Sequence, residues 1–233
     1  MSSNSDTRLG VQERFETIYA QNIWGSGSGE GSLPTRTKGY ARFLQHFIRD
    51  NRITSVVDLG CGDWQFSRFI DWSGVRYHGF DIARPVIEEN RRLYARVRVD
   101  FDVSPDQFDQ LPDADLLIVK DVLQHWSNAA IERFLPTLKR YPFALLTNCT
   151  PPRRRRFWKI STTKNSDIED GDFRYLDLRT APFFLQAKAV YAFSPHADWY
   201  RRYPIKPEAW RKTVLLVENT DKRPATGPGL STG

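Results

Sequence analysis

Cysteine is nearly absent. Cys61 and Cys149 are the only two in 233 residues, and neither stands in a CxxC pair or beside clustered histidines. This argues against a disulfide framework or a zinc site, so no metal is expected and a reducing, cytoplasmic setting is. Long apolar runs are missing as well. No stretch approaches the ~18–20 residues of a membrane span, and the opening "MSSNSDTRLG" lacks the apolar core of a secretory leader. Charge of one sign is in small excess only, with 34 basic residues against 28 acidic and a net of +6. The densest basic run, four arginines at 153–156 followed by Phe157, Trp158 and Lys159, fits a phosphate or nucleic-acid contact and equally a solvated loop.

What is present suits one α/β domain with a substantial core, since 40% of the residues are hydrophobic and 13% aromatic. Apolar residues at helical spacing (Val11, Phe15, Ile18, Tyr19) predict a helix over 11–21, and Tyr40, Phe43, Leu44 and Phe47 predict another over 37–50. Between them lies a stretch rich in Gly and Ser, "WGSGSGEGS". "ITSVVDLG" is a short apolar run of the kind that forms a buried parallel strand. A helix over 64–72 should follow, then strands at "VRYHGFD", "VRVDFD", "ADLLIVKD" and "FALLTN", with helices over 84–96 and 128–140 between them. "AKAVYAF" and "RKTVLLVEN" close the list of strands. The alternation predicts an open, mostly parallel seven-stranded sheet with helices on both faces. The organisation expected is residues 1–50 as N-terminal helices and a Gly/Ser segment, 51–220 as the main domain, and 221–233 as a loose polar tail.

"VVDLGCGDW" carries the strongest signal. In an open α/β sheet, ligands bind beyond the carboxyl ends of the strands. Gly60 and Gly62 let backbone approach a ligand closely, and Asp58 at the strand end suits an ammonium group. Asp81 ends the next strand, where an acid binds two ribose hydroxyls. Dinucleotide binding competes, but GxGxxG requires glycine at 65, where this chain has Gln65.

The stretch from about residue 53 to 150 resembles the class I S-adenosylmethionine-dependent methyltransferases, on "VVDLGCGDW", "YHGFDI", "VDFDVS" and "DLLIVKDVLQHW". The resemblance implies a Rossmann-like fold and S-adenosylmethionine as cofactor. It places Asp58, Gly60 and Gly62 along the methionine part, Asp81 at the ribose, and Asp102 with the Val103 backbone at the adenine, Asp100 being an alternative; Ile82 is a further cofactor-binding candidate. The segments "IYAQNIWGSGSGEGS" and "NSDIEDGDFRYLDLRTAPF" further resemble some small bacterial and viral members, several of which are thought to methylate sugars or other small acceptors.

Methyl transfer from a sulfonium is an in-line displacement, and a hydroxyl acceptor gains from a nearby general base. His125 is the base candidate, competing with a packing role beside Trp126. Asp121, four residues earlier, shares its pocket if the segment turns helical and positions cofactor or acceptor. The long loop 150–183 carries Asp167, Asp170, Arg174 and Asp177. Asp167 and Arg174 are the acceptor-binding candidates. Trp199, Tyr200 and Tyr203 fit an aromatic wall or the core. No separate domain is expected ahead of the Gly/Ser stretch for it to tether, and the stretch contains no P-loop lysine. It therefore reads as a helical lid over the cofactor, with Trp24 as the covering ring.

The expected activity is O-methylation of a small acceptor, a sugar or glycan. The alternatives are an RNA or protein methyltransferase and a non-catalytic cofactor-binding partner subunit. Oligomeric state is not legible in the sequence.

Overall fold

The computed structural model describes residues 2–151, 164–194 and 211–222. The arginine run 153–156 and the aromatics Trp199, Tyr200 and Tyr203 lie outside the described residues, as does the tail from 223 onward.

Two helices, α1 (Ser2–Ala20) and α2 (Pro34–Asp50), precede β1 (Ser55–Leu59). There follow β2 (Arg76–Asp81), α3 (Arg84–Tyr94), β3 (Val99–Val103), β4 (Leu116–Lys120), α4 (Asn128–Phe134), β5 (Phe143–Thr150), β6 (Lys188–Phe193) and β7 (Arg211–Glu218). The seven strands form one sheet in the order β3-β2-β1-β4-β5-β7-β6, parallel except that β7 runs antiparallel to both neighbours. The order reverses between β1 and β4, so a crevice opens at the carboxyl ends of these two strands.

Both faces are covered. Alternate strand residues Val56, Tyr77, Leu116 and Leu145 pack under Tyr40, Leu44 and Ile48 of α2. Their neighbours Val57, Leu117, Val119 and Leu146 pack under Ile131 and Phe134 of α4. Every residue of β1 and β4 is buried, which explains their unbroken apolar runs. No helix among the described residues is long and apolar enough to cross a membrane.

Two expected helices are altered. Residues 64–72 form only a single tight turn, Ser67–Phe69. Trp64 has a positive φ of 56°, and Trp64, Phe66, Ile70 and Trp72 are all buried. An aromatic-rich segment buried in several directions packs better as a loop than as a helix with one apolar stripe. The helix over 128–140 breaks after Phe134 into a tighter turn, Leu135–Arg140, because Pro136 has no N–H for the α-helical ladder.

Candidate functional site

The carboxyl ends of β1, β2 and β4, with the loops that follow them and β3, enclose a cavity of about 910 Å³. Its floor is the turn after β1. Gly60 and Gly62 have positive φ, 76° and 56°. A side chain at 60 would strike Val122 and one at 62 would strike Ser28, so only glycine fits.

Two strand-end carboxylates face this floor. Asp58 is buried and accepts a hydrogen bond from the Tyr77 hydroxyl at 2.7 Å. Burial pushes its carboxyl up to about 6, with Tyr77 and Lys120 opposing. Asp81 is also buried and accepts from the backbone N–H groups of Gly62 and Ala83, each at 3.0 Å. Burial raises its pKa, and these bonds partly offset the rise. Each Asp81 oxygen keeps a further lone pair for a ligand hydroxyl. Ile82 lines the cavity beside it.

Beyond β4 the chain enters the left-handed region at Asp121, φ 61°, and makes a tight turn over Leu123–His125 rather than the α-helix that would pair positions 121 and 125. Both side chains nevertheless line the cavity. Asp121 is clamped by two buried ammonium groups, Lys120 at 2.7 Å and Lys212 at 2.5 Å. Burial alone would raise the Asp121 carboxyl, but the two cations hold it at about 2. Burial lowers Lys120; at Lys212 burial is again the largest single effect, but Asp121 and Cys149 together outweigh it and raise the ammonium. Asp121 is thus a fixed anion and no proton acceptor.

His125 differs. Burial lowers its pKa below the ordinary histidine value, so the ring is neutral at pH 7. Its Nδ1 lies 2.8 Å from the Asp172 carbonyl, and Trp24 covers it at a centroid distance of 5.0 Å. Trp24 is held edge-on by Phe15 and Tyr19 of α1. The Gly/Ser stretch docks directly on the glycine turn. Asp63 N–H donates to Ser28 Oγ at 2.9 Å, and Ser28 N–H donates to Asp63 Oδ2 at 3.2 Å. Lys120 reaches up to the Gly31 carbonyl at 3.2 Å.

Four sequence-derived positions fall elsewhere. Asp102 and Val103 stand outside the cavity, which begins at the following loop with Ser104, Pro105 and Asp106. Strand alternation turns Asp102 away from the face that holds Phe101 and Val103. It pairs there with Arg91 and with His78, the latter at 2.8 Å. Arg174 and Asp167 also lie outside the lining and brace a loop. Arg174 is buried and donates to the carbonyls of Ser166 and Trp126, both at 2.6 Å. Asp167 accepts from the N–H of Asn128 at 2.8 Å. From the same loop it is Asp170 that reaches the cavity, accepting from Ser127 N–H at 2.6 Å. Phe108 and Trp126, stacked at 5.4 Å, also line it. Their aromatic character was the only signal in the sequence, and it does not distinguish a wall from core.

Residues 40–143 match the family profile of the O-methyltransferase domain. A comparison with curated protein sequences gives no match. Among solved structures, the chain is similar to the 1,6-didemethyltoxoflavin-N1-methyltransferase of Burkholderia thailandensis, crystallised with 1,6-didemethyltoxoflavin and S-adenosylhomocysteine. Identity is 13%, coverage 95% of this chain and 92% of that one, and the TM-score 0.57. The DhpI complex with S-adenosylhomocysteine is 16% identical over 89% of this chain and 95% of that one, with a TM-score of 0.53. Magnesium protoporphyrin IX methyltransferase from Synechocystis PCC 6803, with the same ligand bound, is 13% identical over 79% and 84%, with a TM-score of 0.50. At these identities the likeness is one of fold.

Proposed function

We propose that this chain, an S-adenosylmethionine-dependent methyltransferase by its O-methyltransferase domain and its fold, methylates a hydroxyl group of a small acceptor, a sugar or glycan. Its cofactor is S-adenosylmethionine, which when bound supplies a methyl group on a sulfonium, open to in-line displacement. The cavity fits that group. Its size is in the range of small-molecule sites, its floor excludes every side chain at 60 and 62, and its buried carboxylates seek donors. In this reading Asp58 receives the methionine ammonium and Asp81 the ribose hydroxyls, with Ile82 against the ribose. The loop from Ser104 takes the adenine side in place of Asp102 and Val103.

The observation that carries the acceptor side is His125. Its ring lines the cavity, is neutral, and has Nδ1 committed to a backbone carbonyl. Nε2 is left to take the acceptor's hydroxyl proton as the oxygen–methyl bond forms. Asp121 stays ionised between its lysines and fixes their positions beneath the site. Asp106, Asp109 and Asp170 offer acceptors to a hydroxyl-rich molecule, and Trp24 and Trp126 offer flat apolar walls. Residues 24–32 form the lid, with Trp24 excluding water from the reacting atoms.

The test is transfer of a labelled methyl group to nucleotide sugars, glycans, tRNA and peptides. Label on a sugar hydroxyl is expected. Label on tRNA or peptide alone overturns the acceptor class. Tight cofactor binding with no labelled acceptor favours the partner-subunit alternative.

A further inference from the structure

The loop that sequence reasoning assigns to acceptor binding is stitched to His125. Gly171 N–H donates to the His125 carbonyl at 2.7 Å, and Arg174 N–H donates to the Gln124 carbonyl at 3.2 Å. Between these two bonds, the Asp172 carbonyl meets His125 Nδ1 at 2.8 Å. On its other side the same loop is gripped by α1. Arg14 Nη2 lies 2.6 Å from the Asp172 carboxylate, and Nη1 lies 3.4 Å from Glu169. Gly171 makes room for this grip, since a side chain there would come within 2.7 Å of Arg14 Nε.

The imidazole is constrained from both ends. A carbonyl only accepts, so Nδ1 carries the proton. Gln124 spends its Oε1 on the Cys149 N–H at 2.7 Å and turns its NH₂ toward His125 Nε2 at 3.3 Å. Nε2 therefore holds the lone pair, and the long Gln124 contact is one that an acceptor hydroxyl displaces. Which nitrogen is protonated is set by the partner of the other. Here that partner is the backbone carbonyl of Asp172, the residue whose carboxylate pairs with Arg14 of α1.

We infer that Arg14 is a positioning residue for His125. By clasping Asp172 it holds the carbonyl that fixes the imidazole tautomer, so the base is assembled only when α1 is docked. The inference rests on the reading of His125 as base. The side chains of Arg14 and Asp172 are 39% and 52% exposed. An ion pair that open to solvent adds little to folding stability, so its removal leaves the fold and the backbone bonds of Gly171 and Arg174 in place while freeing the Asp172 peptide between them to shift.

The experiment is ¹⁵N NMR of the histidine ring nitrogens in the full chain, with and without S-adenosylhomocysteine. The His125 signals are assigned by their loss in His125→Gln. The unaltered protein should give a single His125 tautomer protonated at Nδ1. In Arg14→Gln and in Asp172→Asn the two ring nitrogens should shift toward each other as the tautomers mix, with melting little changed. The double variant should look like either single one, because both remove the same link. An unchanged tautomer in folded Arg14→Gln and folded Asp172→Asn overturns the inference. Full turnover in His125→Ala would overturn the base reading alone, leaving the tautomer result to stand or fall by itself.

Discussion

Replacing Asp81 by Ala should perturb the proposed cofactor site in two separable ways. In the free protein the carboxylate satisfies two backbone donors, Gly62 N–H and Ala83 N–H, each at 3.0 Å. Orphaning a buried donor costs about 1–3 kcal/mol, so the two together cost about 2–6 kcal/mol before relaxation and water entry reduce the figure. Removing a desolvated carboxylate returns part of that. In the bound state the variant should also lose the proposed charge-assisted ribose contact, about 1.5–3 kcal/mol, and so bind about ten- to a hundredfold more weakly. Asp81→Asn separates the two terms. It keeps one acceptor oxygen and the side-chain shape, so it should melt closer to the unaltered protein while still binding S-adenosylmethionine at least tenfold more weakly. Calorimetric titration with the cofactor, run beside a melt without it, reads both quantities. A folded Asp81→Asn variant with unaltered affinity refutes the assignment of Asp81 to the ribose.

His125→Ala should lower turnover by about 10²–10⁴ and leave cofactor affinity nearly intact; parallel steady-state kinetics and titration check this, and near-normal turnover rejects His125 as base. Trp24→Ala should weaken cofactor binding with little change in the ligand-free melt, because the ring lies at the cavity wall and is only half-buried. A loss of about 3–5 kcal/mol in the free protein would mark it as core instead. Asp58 makes a pH prediction. Its folded pKa of about 6 lies above the ordinary 3.8, so the folded chain holds this proton more tightly than the unfolded one. The contribution to stability is full below pH ~4 and is lost as pH rises through ~6, about 3 kcal/mol in all. Cofactor affinity should run the other way, rising through pH 6 as the carboxylate ionises to meet an ammonium. Asp58→Asn should remove the step near pH 6 from both curves, and a step in affinity near pH 6 that is unchanged by the substitution contradicts the assignment.

Strands were the legible part of the fold. β1 and β4 are buried on both faces, so an unbroken apolar run had one outcome, and the glycine turn with its two strand-end acids was legible in "VVDLGCGDW" and in the acid that ends the next strand. Residues 64–72 were not legible, because a segment with Trp64, Phe66, Ile70 and Trp72 satisfies a helical count while burying its rings in several directions. Asp102 lies outside the cavity by one alternation of strand β3. Lying at a strand end does not say which face a side chain takes, and Arg91 on α3 was free to claim it. Arg174 and Asp167 illustrate a further limit. Polar residues in a long loop look alike whether they grip a ligand or the loop itself, and only the carbonyls of Ser166 and Trp126 reveal the second role. The two buried lysines around Asp121 come from strands β4 and β7, 92 positions apart in sequence, so no local pattern announced them.

The most direct measurement of the central claim is a crystal structure of the chain with S-adenosylhomocysteine. The amino group should lie against Asp58, the ribose hydroxyls against Asp81, and the purine beside the loop that begins at Ser104. The sulfur should point toward His125, with Trp24 closed over it. A ligand bound outside the cavity above Gly60 and Gly62, or one whose ribose makes no contact with Asp81, would contradict the account.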